Sequence, residues 1–320
     1  MEKNATRVSV EKVKCMPPKT CVCDRALIVT GKIIKIAAVH DEIWLEGEAV
    51  DNPDQFISGL KRENFKADVF TFGQKFPETK RKYAYHCEWD NFAVVPITTY
   101  AEWWEKRLPQ ESRRNVRIAG KRGVVVDVAE FNDDLVRGIA GIYNETPIRQ
   151  GRPFCHYGKD VETVRMENGT YLERSQFLGA YHENELIGFI KLVYVNEIAS
   201  IMQFLSKNEH LDKKPMNALL ARAVELSEKR GSRYLVYRKF TYGSVYSALT
   251  EFKRRNGFEK MQYPRYYVPL TWKGELGLKL RLHQGLRDSL PPGLIARLTN
   301  LRSKYIGLFG PKRTVAVSQR

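Results

Sequence analysis

The order of hydrophobic patterns between residues 124 and 270 is the feature that most constrains the fold of this chain. A strand pattern, VVVDVAEF, is followed by a helix pattern, NDDLVRGIAGIYNET, in which Asn132 is suited to the N-cap. Three strand patterns then follow at short spacing: QFLGAYH, LIGFIKLVYV and ASIMQFLS. Strands that alternate with helices and also follow one another as hairpins predict a mixed α/β unit built on one sheet.

The clearest helix in the sequence is KKPMNALLARAVELSEKRG. Pro215 suits its first turn, Gly231 suits the position just after its end, and its apolar residues recur on one face. The chain continues with a strand pattern, YLVYRKF, a helix pattern, SVYSALTEFKRRNGF, and a final strand pattern, YYVPL. The mixed unit is therefore predicted to end near residue 271.

A second unit is predicted before residue 124, because 320 residues suffice for one large core or two moderate ones. It holds strand patterns such as ALIVTGKIIKIAAV and KYAYHCEWDNFAVVPI, and a helical stretch that Pro109 interrupts. We predict four segments. They are an irregular lead-in (1–26), an N-terminal domain (27–123), a C-terminal domain (124–271) and a basic tail (272–320).

The sequence offers little evidence for export, disulfides or metals. Charged residues near the start and the absence of a long apolar run predict a cytoplasmic protein without a transmembrane segment. The five cysteines are too few for a disulfide scaffold. Cys15, Cys21 and Cys23, with His40 as a fourth ligand, lack the usual spacing of zinc sites, so we expect no metal. Common motifs of metalloproteases, serine hydrolases and P-loop NTPases are absent.

Two segments carry a resemblance to a known family. FKRRNGFEK resembles the closing motif of the Gcn5-related N-acetyltransferase (GNAT) fold, and KKPMNALLARAVELSEKRGSRYLVYRKF resembles the helix and strand of FemAB-like transferases. The resemblance covers residues 124–270 well and residues 27–123 loosely. It implies two tandem GNAT-like domains, the N-terminal one degenerate. It also implies an acyltransferase that uses acyl-CoA or aminoacyl-tRNA as donor and an amine as acceptor.

The chain departs from the pattern of CoA-dependent members at two places. Their glycine-containing phosphate turn is replaced by SKNEHLDKKPMN, and the tyrosine that often acts as general acid is replaced by Lys253. The remaining candidates for holding donor phosphates, at the start of the central helix, are His210, Lys213, Lys214 and Asn217. The alternative interpretation is a basic loop with a helix cap.

Acyl transfer requires a deprotonated amine, a stabilised oxyanion and a protonated leaving group. A polar segment between residues 149 and 160 and the end of a following strand supply the candidates. The predicted catalytic residues are His156, Tyr157, Arg238 and Tyr242. The predicted substrate-binding residues are Arg149, Gln150, Arg152, Lys159 and Tyr246. The alternatives are a solvated loop and, for Tyr246, a core aromatic residue.

The tail contains ten Lys and Arg residues against Glu275 and Asp288, which is about half of the chain's net charge of +16. Within it, Leu294, Leu298 and Leu301 recur at helical spacing. A basic amphipathic helix is attracted to anionic lipid, so the tail predicts peripheral attachment at the inner face of a membrane. The alternative is that its apolar stripe packs on the protein itself.

Together these observations predict a bacterial-type N-acyltransferase that moves an acyl or aminoacyl group onto an amine, with an envelope or cell-wall precursor as acceptor. Nucleic acid is expected as a partner only if the donor is aminoacyl-tRNA. The alternative is a non-catalytic protein on the same scaffold that binds RNA or a phosphorylated glycan. The missing phosphate turn and the missing tyrosine favour this alternative.

Overall fold

The structure is a computed structural model that describes residues 19–22, 25–42, 50, 52–63, 65–149, 152–241 and 248–284. Up to residue 121, its elements are β1 (Lys19–Val22), β2 (Arg25–Thr30), β3 (Ile36–Val39), α1 (Pro53–Arg62), β4 (Val69–Gly73), β5 (His86–Pro96), α2 (Tyr100–Glu102) and α3 (Gln110–Lys121). A π-helical turn, Trp103–Arg107, joins α2 to α3 just before Pro109. Strand β1 lies inside the stretch that we predicted to be irregular.

The later elements follow the predicted order, with a short hairpin and a helix in the segment that was predicted to be a polar loop. They are β6 (Val125–Ala129), α4 (Asp133–Asn144), β7 (Ile148–Arg149), β8 (Arg152–Pro153), α5 (Val161–Asn168), β9 (Ser175–His182), β10 (Glu185–Val195), β11 (Ile198–Ser206), α6 (Pro215–Lys229), β12 (Tyr234–Val236), α7 (Ala248–Arg255), β13 (Glu259–Pro269) and α8 (Trp272–Lys279). Asn132 caps α4 as predicted, its side chain accepting a hydrogen bond from Leu135 N at 3.0 Å.

Within the described residues, eleven strands form one mixed sheet in the order β1-β2-β3-β4-β13-β5-β12-β11-β10-β9-β6. Strand β13, from the end of the chain, pairs antiparallel with both β4 and β5. Strand β5 in turn pairs with β12. The sheet is therefore continuous across the predicted boundary at residues 123 and 124, which itself stays a prediction.

Helices cover both faces of the sheet. Neighbouring residues on a strand point to opposite faces. On β10, Phe189 packs with α4 and α5, whereas Ile190 packs with the cluster that includes α6. On β4, Phe70 packs with α1, whereas Val69 packs with Leu278 of α8. Helices α4, α5 and α8 therefore cover one face of the sheet, and α1, α3 and α6 cover the other.

The first residues of the predicted basic tail are part of this fold. Helix α8 begins at residue 272 and lies so close to β4 that a Cβ on Gly274 would lie 1.9 Å from Asp68 O. Residues 285–320, which hold the predicted amphipathic helix, lie outside the described residues. Among the helices that are described, none is long and apolar enough to cross a membrane.

Candidate active site

Strand β11 extends beyond the residues that pair with β12. Their parallel pairing runs from Ile198 opposite Tyr234 to Ser200 opposite Val236, but β11 continues to Ser206. Beyond Val236 the chain instead follows β5, where Tyr237 N donates to Ala93 O at 2.8 Å. This interruption of the pairing, called the gap below, is a candidate entrance for a ligand.

Lys253 of α7 lies beside this gap and is completely buried. Its Nζ donates a hydrogen bond to Lys239 O at 2.6 Å and lies 4.4 Å from the centre of the Tyr237 ring. Burial, and secondarily the positive charge of Arg238, lowers the pKa of Lys253 from 10.5 to about 7. An amine with this pKa can either donate or accept a proton near neutral pH.

An ion cluster lies on the other side of Lys239. The Lys239 ammonium contacts Asp90 Oδ2 at 2.7 Å, and the Arg265 guanidinium contacts the same oxygen at 3.1 Å. Burial alone would raise the pKa of Asp90, but the charges of Lys239 and Arg265 lower it below its ordinary value. Asp90 is thus held as a carboxylate. Lys239 connects the two features, since its carbonyl accepts from Lys253 while its side chain pairs with Asp90.

A small cavity of about 30 Å³ adjoins this cluster. Its wall combines apolar rings with polar groups of the cluster: Phe76, Phe92, Ile198, Tyr263, Arg265 and Glu42. The volume is close to that of a single water molecule, so the cavity must widen to admit a substrate group. It reaches Arg265 of the ion cluster and does not define a preformed pocket.

The predicted donor-binding residues lie at the start of α6. His210 Nδ1 lies 3.1 Å from Lys213 Nζ, and Lys214 precedes the helix with a positive φ of 58°. Asn217 instead donates to Asn256 Oδ1 at 2.9 Å, which ties α6 to the end of α7. Two of the four side chains therefore contact each other, while the role of all four in binding a donor stays a prediction.

A carboxylate already occupies backbone amides of the loop that precedes α6. Glu145 accepts hydrogen bonds from Asn208 N at 2.8 Å and from Glu209 N at 2.9 Å. Arg149 pairs with Glu145 at 3.0 Å and donates to Ser206 O at 2.9 Å. In the CoA-dependent pattern, amides of this loop bind pyrophosphate. Here they have an internal anionic partner, and Arg149 helps to hold it.

The other residues of the predicted polar segment form a separate cluster. His156 packs on Tyr143 with ring centres 4.3 Å apart, and Lys159 Nζ lies 2.6 Å from both oxygens of Glu167. Burial alone would lower the pKa of His156, but contacts with Cys155 and Glu167 raise it. Tyr157 is exposed. His156 and Lys159 thus lie in a cluster around Tyr143 and Glu167, and the predicted roles of His156, Tyr157, Lys159 and Arg238 stay predictions.

Gln150, Tyr242 and Tyr246 lie outside the described residues, as does the side chain of Arg152. The sequence did not identify Lys253 or Asp90 as candidate catalytic residues. The sequence does mark the position of Lys253, because this lysine replaces the tyrosine of the resembled fold. Asp90 is marked more weakly, as a carboxylate inside the aromatic strand pattern KYAYHCEWDNFAVVPI.

Comparison with solved structures decides the fold. The crystal structure of FemX superposes with a TM-score of 0.56, covering 80% of this chain and 86% of that chain at 11% sequence identity. The chain has a GNAT-like, FemAB-type fold. The predicted fold class is therefore confirmed. This identity is too low to carry an activity from FemX to this chain.

Two further structures share the FemAB-type fold. The C-terminal domain assigned to a lysylphosphatidylglycerol synthetase from Agrobacterium fabrum has a TM-score of 0.52 and 12% identity, covering 82% of this chain and 88% of that chain. L-PGS from Bacillus licheniformis has a TM-score of 0.51 and 13% identity, covering 78% of this chain and 83% of that chain. No protein-family model and no curated protein sequence matches the chain.

Proposed function

We propose that this protein transfers an aminoacyl group from aminoacyl-tRNA to an amine on an envelope molecule. The observation that carries the proposal is the buried Lys253, with a pKa of about 7, beside the gap between β11 and β12. The FemAB-type fold supports it, since FemX and a lysylphosphatidylglycerol synthetase domain share the architecture.

The choice of aminoacyl-tRNA over acyl-CoA rests on the loop before α6. The Glu145 carboxylate holds two amides of this loop, and a pyrophosphate at those amides would have to displace it against charge repulsion. The loop also lacks glycine, which favours close approach to phosphate. A polyanionic donor such as tRNA suits a chain with a net charge of +16.

In the reaction, the acceptor nitrogen attacks the ester carbonyl of the donor, a C–N bond forms, and the C–O bond to the ribose breaks. The acceptor nitrogen loses a proton and the ribose oxygen gains one. Protonated Lys253 stabilises the oxyanion and supplies the proton to the leaving oxygen. Asp90 acts as a positioning residue, because it fixes Lys239, whose carbonyl orients the Lys253 ammonium.

Attachment to a membrane is part of the proposal. The sequence of residues 272–320 combines leucines at helical spacing with a strong positive charge, which suits an acceptor presented at an anionic bilayer. Flotation with vesicles that contain phosphatidylglycerol tests this separately. We expect the full chain to float and a chain that ends at Gln284 to float less. Equal flotation of the two chains would contradict it.

The donor is tested with the full chain and three donor preparations: tRNA charged with a mixture of radiolabelled amino acids, the same tRNA after deacylation, and labelled acetyl-CoA. The acceptors are a UDP-linked sugar peptide with a free lysine side chain and vesicles that contain phosphatidyl lipids with amine headgroups. Lys253→Met is the test variant. Lys260→Met, which removes an exposed lysine of β13, is its matched control.

We expect label to move from aminoacyl-tRNA to one of the acceptors, and Lys253→Met to lose this transfer while Lys260→Met retains it. Transfer from acetyl-CoA alone would overturn the choice of donor. Binding of charged and uncharged tRNA with equal affinity and without turnover would overturn the enzymatic proposal in favour of the non-catalytic alternative.

A further inference from the structure

Two histidines and a glutamate from separate parts of the chain meet on the face of the sheet that α8 covers. His86 and Glu88 lie two residues apart on β5 and so point to the same face. His283 lies in the 3-10 turn Leu282–Gln284 that follows α8. Their ligand atoms, one from each residue, all lie within 4.8 Å of one another.

All of the hydrogen bonds in this cluster converge on one atom. Glu88 Oε1 lies 2.6 Å from His283 Nε2, 3.3 Å from His86 Nε2 and 2.9 Å from Gln284 Nε2. One carboxylate oxygen has two lone pairs in its plane and therefore accepts two hydrogen bonds in good geometry, one fewer than the three donors around it. Glu88 thus presents its carboxylate to both imidazoles and to the Gln284 amide.

This cluster is more buried than an ordinary surface contact. The His283 side chain is only 1% exposed, and its Nδ1 is buried without a hydrogen-bond partner in the described residues. The His86 side chain is 47% exposed and borders solvent. The cluster thus combines a buried imidazole with one that an ion from solvent can reach.

We propose that His86, Glu88 and His283 bind one divalent transition-metal ion of the Zn²⁺ class. Imidazole nitrogens select such ions over Mg²⁺ and Ca²⁺, and two histidines with one carboxylate form an established zinc ligand set with a fourth position for water. Tetrahedral bonds of about 2.0–2.1 Å place ligand atoms roughly 3.3 Å apart. Glu88 Oε1 already lies 3.3 Å from His86 Nε2, and its distance of 2.6 Å from His283 Nε2 would have to increase. The proposal departs from the sequence-based expectation of no metal.

The ion would join β5 to the turn after α8. These segments are almost 200 residues apart in sequence, so the complete ligand set exists only when both are folded together. Binding therefore stabilises the folded chain and fixes the point from which residues 285–320 leave it. Because Glu88 and Asp90 lie two residues apart on β5, the ion also lies beside the candidate active site without contacting the groups proposed for acyl transfer.

The test uses the full chain without a histidine tag, stripped of metal and then titrated with Zn²⁺ by calorimetry. His86→Gln is the test variant, because His86 borders solvent and its loss should not unfold the protein. His182→Gln is the matched control, since His182 is another partly exposed histidine near a second ring, that of His210 at 5.9 Å. Co²⁺ absorption spectra report the ligand type, and thermal melts report the coupling to folding.

We expect one Zn²⁺ per chain, a higher Tm with Zn²⁺, and a cobalt spectrum without a thiolate band. His86→Gln should weaken binding by at least the roughly tenfold that loss of an outer-shell partner costs, and His182→Gln should not. Absence of Zn²⁺ binding would overturn the proposal. Binding that is equal in both variants, or a thiolate band that points to the cysteines, would also overturn it. Loss of acyl transfer would not bear on it, because metal content and Tm are measured without substrate.

Discussion

Replacing Lys253 with methionine should make the protein more stable near neutral pH, and the gain should shrink as the pH rises. Methionine fills a similar volume without a charge. The native pKa of Lys253 is lowered from 10.5 to about 7, and each unit corresponds to about 1.36 kcal/mol. Burial of the charged form therefore costs the native state on the order of 5 kcal/mol.

The pH dependence follows from proton linkage. Between the native and unfolded pKa values, the unfolded chain binds more protons at this residue than the native chain, so wild-type stability rises with pH. From pH 7 to pH 9 the contribution of Lys253 should increase by about 2 kcal/mol. Below pH 7 both states are protonated and the contribution becomes constant.

Urea denaturation of the wild type, Lys253→Met and Lys260→Met at several pH values from 6 to 9.5 measures this effect. The free energy of unfolding of Lys253→Met should exceed that of the wild type most at the lowest pH, and the excess should fall by about 2 kcal/mol between pH 7 and pH 9. Lys260→Met corrects for the general effect of losing a lysine. A constant difference across this range would refute the buried, low-pKa amine on which the mechanism depends.

Three further predictions concern the Asp90 ion pairs, the loop before α6 and the packing of helix α8. Asp90→Asn should lower the free energy of unfolding by about 1–3 kcal/mol at pH 7, because the partly exposed Lys239 loses its carboxylate partner and Arg265 keeps only Glu42. The loss, measured in urea, should shrink as acid protonates Asp90 in the wild type. Glu145→Gln should speed hydrogen exchange of the two loop amides that its carboxylate binds, and unchanged exchange would contradict that role. Gly274→Ala should lower the free energy of unfolding, measured in urea, by about 3 kcal/mol, because the new Cβ would collide with Asp68 O. Gly141→Ala on α4 is the control. Its Cβ would meet nothing within 4 Å, so the free energy of unfolding should rise by about 0.5–1 kcal/mol.

Local patterns in the sequence predicted most elements of the second half, but not β7, β8, α5 or α8. Pro215 and Gly231 bound α6, and Asn132 caps α4, because these residues act on the backbone next to them. The position of β13 in the sheet was not predictable in this way. That β13 lies between β4 and β5 depends on pairing between residues far apart in sequence, such as Arg265 opposite Glu88, which no local pattern records.

The same limit applies to the site. The sequence drew attention to Arg149 and His156 because polar residues are dense around them. The structure gives Arg149 backbone and carboxylate partners and places His156 against Tyr143. The burial that gives Lys253 its low pKa, and the pairing of Asp90 with Lys239, arise from tertiary packing. Residue type and spacing alone do not contain that information.

The central claim is aminoacyl transfer that depends on Lys253, and a single-turnover measurement tests it most directly. Aminoacyl-tRNA and an amine acceptor are mixed with excess full-length protein at pH 7, and formation of the amide-linked product is followed over time. We predict product with the wild type and with Lys260→Met, and a rate at least about 100-fold lower with Lys253→Met. Equal rates for the wild type and Lys253→Met, or product that forms only from acetyl-CoA, would contradict the account.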